Sequence, residues 1–498
     1  MAIPAVVTIT ITAIVGIALV IVGGILIKVF HGMIDDQLKQ DLPLKNGTDS
    51  YSNWLDPPVP IYMQFYLFDV LNRAEVILGE KPVLGQKGPY TYREYRKKEH
   101  IKFNQEQGTV EYEESKIYVF DRNMSVGSEN DTVHTVNLFM VGIIQLTRYM
   151  PSLLKEAING VFVGVPETLI AEYTVHETLW GHKDPIIKDI KKAASVFGIT
   201  LDIEDTFGLF YGQNNSRDGV YNIYTGEKGL DKYVTIKTWN GSNLLNYWGD
   251  NYTNMINGTD GTQFPPGVTP DRTLQLFSTD ICRSIYANYE GPQKMRGIDL
   301  YRFVPPTSVF AAPAKNPANL GFCADNETIC LGSGVLNVSV CKPQNAPIVL
   351  SQPHFYQADK EYIDGVIGLN PNKEEHQTAL DVEPVTGVVM GASKRIQISI
   401  FLQKEEVYSD FENLGRLFLP VVWINESAKV DDKSANLFKN KVMEPIKVTE
   451  AVQYGLIAVG SFILLCAIIF ALKKIFAKKQ NLFIPLDSPS DEARLVTN

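Results

Sequence analysis

The chain has 498 residues, 46 Lys plus Arg against 56 Asp plus Glu, a formal charge of -10 and 45% apolar residues. That apolar share supports a packed core and excludes a collagen-like or wholly disordered chain. The acidic balance argues against a nucleic-acid partner, which needs a basic face to displace counterions from phosphate, and a mean hydropathy of -0.05 is too low for a polytopic membrane protein.

The apolar residues are unevenly placed. After a short stub, residues 1–4, residues 5–27 carry no charge, and 14 of them are Val, Ile or Leu. At about 0.3–0.6 kcal/mol each, membrane insertion is favoured by roughly 4–8 kcal/mol. Nothing basic precedes the run, it is longer than a signal-peptide core, and Lys28-Val29-Phe30-His31 is a poor cleavage site. It reads as an uncleaved span. Residues 454–472 are again uncharged and long enough to cross a bilayer core. Lys473, Lys474, Lys478 and Lys479 follow at once, which places residues 473–498 in the cytosol. Two crossings put both termini there and residues 28–453 on the lumenal side.

That middle portion should then look extracytoplasmic, and it does. Asn-x-Ser/Thr acceptors fall at Asn46, Asn123, Asn130, Asn214, Asn240, Asn251, Asn257, Asn326, Asn337 and Asn425, with none in either terminal segment. Cys282, Cys323, Cys330 and Cys341 lie in the same portion and read as two disulfides with three possible connectivities. Their spacings of 41, 7 and 11 do not suit a zinc site. Cys466 reads as a small apolar residue of the second span.

Within the lumenal portion short β-type runs recur at 100–103, 110–112, 117–120, 220–225, 234–238, 394–403 and 417–424, between Gly, Asn and Pro turns. The interruption lies at about 140–200. There Ile143, Ile144 and Leu146, then Leu153, Leu154 and Ile158, then Leu169 and Ile170 recur at helical spacing. Pro151 and Pro166 suit helix starts, as does Asp184-Pro185 before an apolar stripe. These features predict one large antiparallel β structure with a helical insertion. Because both ends return to the membrane, the insertion belongs at the far end.

No Gly-x-Ser-x-Gly elbow, His-Glu-x-x-His, phosphate-binding Lys loop or dinucleotide fingerprint is present. His176 and His182, the only near pair of histidines, are six apart and off one helical face. A carboxylate pair as in glycosidases is conceivable among so many acids, but nothing singles one out. The sequence reads as a non-enzyme with no cofactor and no metal.

Some runs carry a resemblance. Gly79-Glu80-Lys81-Pro82 followed by Lys87-Gly88-Pro89-Tyr90-Thr91-Tyr92-Arg93-Glu94 is similar to the signature of the class B scavenger receptors, the family of the fatty-acid translocase and the high-density-lipoprotein receptor. Leu179-Trp180-Gly181-His182-Lys183-Asp184, Phe207-Gly208-Leu209-Phe210, Trp239-Asn240-Gly241, Asn254-Met255-Ile256-Asn257-Gly258-Thr259 and Cys282-Arg283-Ser284 fall in that family's order. The resemblance covers essentially the whole chain. Two further runs, residues 331–339 and 353–359, resemble a lysosomal member more than the lipoprotein receptors.

The resemblance implies a mainly β fold with α: an irregular antiparallel β-barrel, a helical apex bundle and an internal lipid tunnel, flanked by two transmembrane helices. It implies the pairings Cys282–Cys341 and Cys323–Cys330, the longer of which should remove roughly 4 kcal/mol worth of unfolded-state freedom in the entropic account. It further implies residence in the lysosome membrane, with some chains in late endosomes or at the plasma membrane. An acidic dileucine-type signal for clathrin adaptors would be formed by Asp491, Glu492, Leu495 and Val496, with Val departing from the usual second Leu or Ile. The lysosomal member carries a glucosylceramide-cleaving β-glucosidase on its apex helices. The corresponding stretch here offers Ser152, Leu153, Leu154, Lys155, Ile158 and Leu169, and the same residues equally suit a helix that merely packs in a core. Ser152 stands where that member has a histidine, the natural release switch between neutral and acidic compartments. Release would then fall to Glu156, Glu167, His176 or the hydrolase itself. Lipids such as cholesterol or phospholipid are the other implied partners, and a homodimer is admitted. The lipoprotein-binding lysines of the fatty-acid translocase have no match in residues 160–168. A cell-surface lipid or lipoprotein scavenger is the alternative.

Overall fold

The computed structural model describes residues 5–165, 168–323 and 330–481. They divide into two compact units, one built from residues 41–435 and one from the two chain ends.

Runs of β-branched and aromatic residues in the larger unit build a 13-stranded antiparallel sheet. Its central strands are Ile61–Val70, Leu84–Asn104 and Thr109–Phe120 on one side of the chain and Val389–Leu402 and Leu417–Lys429 on the other. The first of these pairs with Leu417–Lys429, Ile61 opposite Ala428, so the beginning and end of the unit lie side by side. The two ends of the sheet, Ile236–Trp239 and Leu274–Ser278, are joined by the main chain of Gly258 and Thr259. Ile236 N donates to Gly258 O at 2.8 Å, and Phe277 N donates to Thr259 O at 2.8 Å. The barrel is therefore nearly closed, which removes most exposed edge. Gly258 sits at φ +88°, and a Cβ there would fall 1.9 Å from Gln275 O, so only glycine brings the ends this close.

The structure merges the predicted runs 110–112 and 117–120 into the single strand Thr109–Phe120, and 100–103 into the end of Leu84–Asn104. It also adds Arg283–Met295, whose Gly291 and Pro292 hide its strand character in sequence. A bulge between Tyr289 and Gly291 absorbs them.

The helical interruption comprises Leu138–Thr147, Ser152–Val163, Val175–Trp180 and Ile187–Val196. The helical reading of Leu169 and Ile170 does not hold. Ile170–Thr174 is a strand paired with Thr132–Val136, because Ile170 finds a β partner in Val136; Pro166 lies outside the described residues. The helices pack on Leu402, Tyr408, Phe411, Leu414 and Leu419. Leu402 pairs with Leu417 at the barrel end opposite Ile61 and Ala428, so the bundle caps the end away from the two chain exits.

In the smaller unit the predicted spans lie inside longer helices, Ala5–Asp41 and Glu444–Asn481. Each is long and apolar enough to cross a membrane. They extend past residues 27 and 472 because Lys and Gln continue a helix as readily as Leu does. The two touch at glycines. A Cβ on Gly16 would lie 2.9 Å from Gly460 O, and one on Gly23 3.0 Å from Gln453 O.

Candidate partner and ligand surfaces

At the apex, Pro151 precedes the first turn of Ser152–Val163 with ψ 142° and leaves Ser152 and Leu153 outward. The helix then separates the predicted partner-binding residues by its 3.6-residue period. Leu153 is 66% exposed, while Leu154, Ile158 and Leu169 are fully enclosed in the core. Ser152 is exposed, and Lys155 is half-buried, with Nζ 3.7 Å from Glu405 and donating to Arg148 O at 3.1 Å. Among the described residues the outward apolar side chains of this region are therefore Leu153, Tyr149 (94% exposed) and Val163, with Val196 and Phe197 at the end of the neighbouring helix. Tyr149, Val163 and Val196 escaped the sequence reading because each stands at a helix end or turn, off the periodic stripe.

The segment before Leu417 straps this bundle. Tyr408 OH meets Thr147 Oγ1 at 2.7 Å, Leu169 N donates to Asp410 at 2.7 Å, and Arg148 lies 3.3 Å from Glu405. The exposed face thus rests on a rigid base. Of the other groups considered for release, Glu156 is exposed, and His176 is exposed and faces Glu129 at 3.3 Å. Glu167 lies outside the described residues.

Within the barrel the strands place a network of buried and half-buried charges. Glu94, Arg96 and Lys98 alternate along one strand; Arg96 meets Glu94 at 2.8 Å and also pairs with Glu426, and Lys98 meets Glu114 at 2.9 Å. Lys394 bridges Glu426 at 2.8 Å and Asp280, while Lys116 lies 3.6 Å from Asp218. Burial alone would raise the carboxyl pKa values, but the neighbouring Lys and Arg charges win. Lys98 and Arg96 hold Glu114 at about 2, and Lys394 and Arg96 hold Glu426 at about 2. Glu94 is the exception: desolvation raises it despite Arg96. Sequence alone could not assign these residues inward, since alternating charges on a strand ordinarily face water.

The four cysteines of the larger unit form Cys282–Cys341 and Cys323–Cys330, with Cα atoms 6.5 and 5.0 Å apart. Among the sequons, Asn46, Asn123, Asn130, Asn214, Asn240 and Asn251 are exposed, and Asn257 and Asn337 are half-buried. Asn425 is half-buried too, donating from Nδ2 to Gln64 at 2.9 Å. Asn326 and the sorting residues Asp491, Glu492, Leu495 and Val496 lie outside the described residues.

Comparison with known proteins agrees with this architecture. The CD36 family model matches residues 14–471. Lysosome membrane protein 2 of Mus musculus is 37% identical over 436 residues, 87% of this chain and 88% of the relative, and that of Homo sapiens matches to the same extent. Scavenger receptor class B member 1 of Rattus norvegicus is 35% identical over 458 residues, 92% of this chain and 88% of the relative.

Proposed function

We propose, from the premise that this chain belongs to the CD36 family, that it is a double-pass receptor of the lysosome membrane rather than an enzyme. Its lumenal domain binds a lysosomal hydrolase, the glucosylceramide-cleaving β-glucosidase, and delivers it to lysosomes. Both ends lie in the cytosol, where Asp491, Glu492, Leu495 and Val496 engage clathrin adaptors. A lipid such as cholesterol or phospholipid is carried through the barrel. The observation that carries the reading is the apolar outward face at the apex, Leu153 with Tyr149, on a base strapped by residues 403–416. Rigid, exposed aromatic and aliphatic side chains are what a protein partner anchors on. The test is capture of the purified hydrolase by the full-length chain in lipid nanodiscs, near neutrality and at lysosomal acidity. Capture at the neutral condition supports the receptor reading; none at either condition overturns it.

The second reading, a cell-surface lipid or lipoprotein scavenger, is favoured by the scavenger-receptor relative, which covers more of this chain than the lysosomal one. Steady-state location separates the two. The lysosomal reading expects lysosomes for the natural chain and the cell surface for Leu495→Ala; a natural chain resident at the surface supports the scavenger.

A further inference from the structure

Residues 368–377 cover part of the sheet as a flap. Ile367, just before them, bridges to Val83, and the strand Ala379–Val382 begins just after; among the described residues no strand pairs with the stretch between. Gly368 turns the chain into the flap at φ +105°, where a Cβ would fall 2.2 Å from Leu84 O. A cover of this kind is ordinarily held by buried apolar side chains. Here the buried side chains are those of His376 and Gln377. His376 stacks on the imidazole of His354 beneath it, with centroids 4.4 Å apart, and lies 5.6 Å from the Trp423 ring. The main chain of the flap hangs on the same two rings. Asn370 N donates to His354 Nδ1 at 3.1 Å, and Asn372 N donates to His376 Nδ1 at 2.9 Å.

The other ties are polar. Arg395 donates to Glu374 O and Gln377 O at 2.9 and 2.8 Å, and Glu290 meets Lys373 at 2.7 Å and Gln377 at 3.1 Å. Beneath the flap, His354, Phe355 and Gln357 hold φ values of +53°, +55° and +62°. Left-handed backbone at such residues persists where the surroundings impose it, and it gathers at switch regions. Desolvation holds both imidazoles down to about 4 against the pull of Glu375, whose carboxylate lies 4.0 Å from His376 Nε2, and Arg395 adds to the lowering at His376. The Tyr66 phenol, stacked on Trp423, is raised by burial and stays neutral. Burial would raise Glu290 too, but its hydrogen bonds with Lys373 and Gln377 win and hold it below its ordinary range. Lifting the flap returns the two rings to about 6.5. Acidification from about pH 7.5 to 5 then raises the open population about 30-fold for each ring freed.

We propose that residues 368–377 are an acid-released flap, latched by uncharged His376 on uncharged His354, which lifts in an acidic compartment to bare the wall around Trp423 and Tyr66. The flap needs no partner and no ligand to open. It gives the larger unit an aromatic face, distinct from that of Leu153 and Tyr149, which is hidden near neutrality and uncovered in acid.

The test is hydrogen exchange of the full-length chain in nanodiscs, read by peptide mass spectrometry near pH 7.5 and near pH 5, each rate divided by that of an unstructured peptide of the same sequence at the same pH. Exchange in residues 369–377 should exceed that in the strand residues 419–424 under both conditions, which marks local opening. It should also rise at least about 30-fold on acidification. His376→Asn, whose Oδ1 can accept from Asn372 N and takes no proton, should cut that rise at least about tenfold. If this variant does not fold, His354→Asn, a residue suited to φ +53°, carries the same expectation. Lys373→Met removes the tie to Glu290 and should speed flap exchange by the same factor at both pH values. Flap and strand exchanging at one rate would mean that global unfolding alone exposes the flap, and would overturn the proposal. So would a flap whose exchange ignores acid, or a rise that survives in the histidine variant. A rise that vanishes with Lys373→Met would assign the response to Glu290 and overturn it as well.

Discussion

The imidazoles of His354 and His376 stack with centroids 4.4 Å apart, beside Trp423. Each Nδ1 accepts a main-chain hydrogen bond, from Asn370 N at 3.1 Å and Asn372 N at 2.9 Å. His354 Nε2 faces Gln86 Oε1 at 2.8 Å, an oxygen that also accepts from Trp423 Nε1, which fixes the neutral tautomer with its proton on Nε2. A second proton on either Nδ1 would set a donor against a donor. Desolvation, reinforced at His354 by the His376 ring and opposed at both by Glu375, holds each pKa down to about 4, and Arg395 adds to the lowering at His376. The unfolded chain, with histidines near 6.5, therefore takes up protons that the folded chain refuses. Stability is complete above about pH 7, falls as pH drops through 6.5, and stops falling below about 4. The loss by pH 5 is on the order of 2 kcal/mol per ring. The acidic network acts lower. Glu114 and Glu426, held near 2, lose their contribution only as pH falls below about 4.5. Thermal melts between pH 7.5 and 5 should show a falling midpoint, and His376→Asn, whose Oδ1 can take over the acceptor role, should flatten that slope. An unchanged slope would exclude the pair as its source.

At the scale of the element, one helix turn separates what faces a partner from what holds the bundle. Leu153→Asp changes an exposed side chain and should shift stability by less than about 0.5 kcal/mol while abolishing hydrolase capture. Leu154→Ala empties a fully enclosed site and should cost about 2–5 kcal/mol in denaturant melts. The reverse order of stability effects would place Leu153 in the core. The apolar stripe Leu153, Leu154, Ile158 was legible as a helix, yet its face was not, because a stripe marks burial against something without saying what. The packing of Tyr408 and Phe411, some 250 positions away, decides it. The terminal helices show the same limit. Their apolar character is plain in the sequence, but Gly16, Gly23 and Gly460 look like scattered small residues until the two helices are laid side by side. Gly16 and Gly23, like Gln453 and Gly460, are seven apart, the spacing that returns to one helix face. Close backbone approach at small residues is how helices associate in lipid. Gly23→Leu should separate the pair, read as a loss of energy transfer between fluorophores at the two chain ends in nanodiscs. Undiminished transfer would mean the contact does not hold the helices.

For the molecule as a whole, a large antiparallel β structure was legible in outline from its β-branched runs, and that it forms a barrel only from the family resemblance. Its closure was not. Closure depends on Gly258 and Thr259 bridging two strands whose own sequences carry no sign of each other. The inward charges were likewise hidden, since the alternation of Glu94, Arg96 and Lys98 tells which residues share a face but not which face is enclosed. The arrangement across the membrane is the reading on which the receptor depends. In the proposed topology two crossings leave both ends on one side, and the four lysines after residue 472 favour the cytosol for that side. On the proposed topology residues 28–453 face the compartment where asparagine glycosylation and disulfide formation occur. Asn123 and Asn251 are exposed and should carry glycans. Endoglycosidase treatment of the cellular protein should lower its apparent mass, and Asn123→Gln and Asn251→Gln should each remove one step of that shift. An epitope on either terminus should stay unreachable by antibody in intact vesicles whose lumen holds the barrel. A chain that shows no glycan at either position, or a terminus protected together with the barrel, would invert the arrangement and detach the apex face from any lumenal hydrolase.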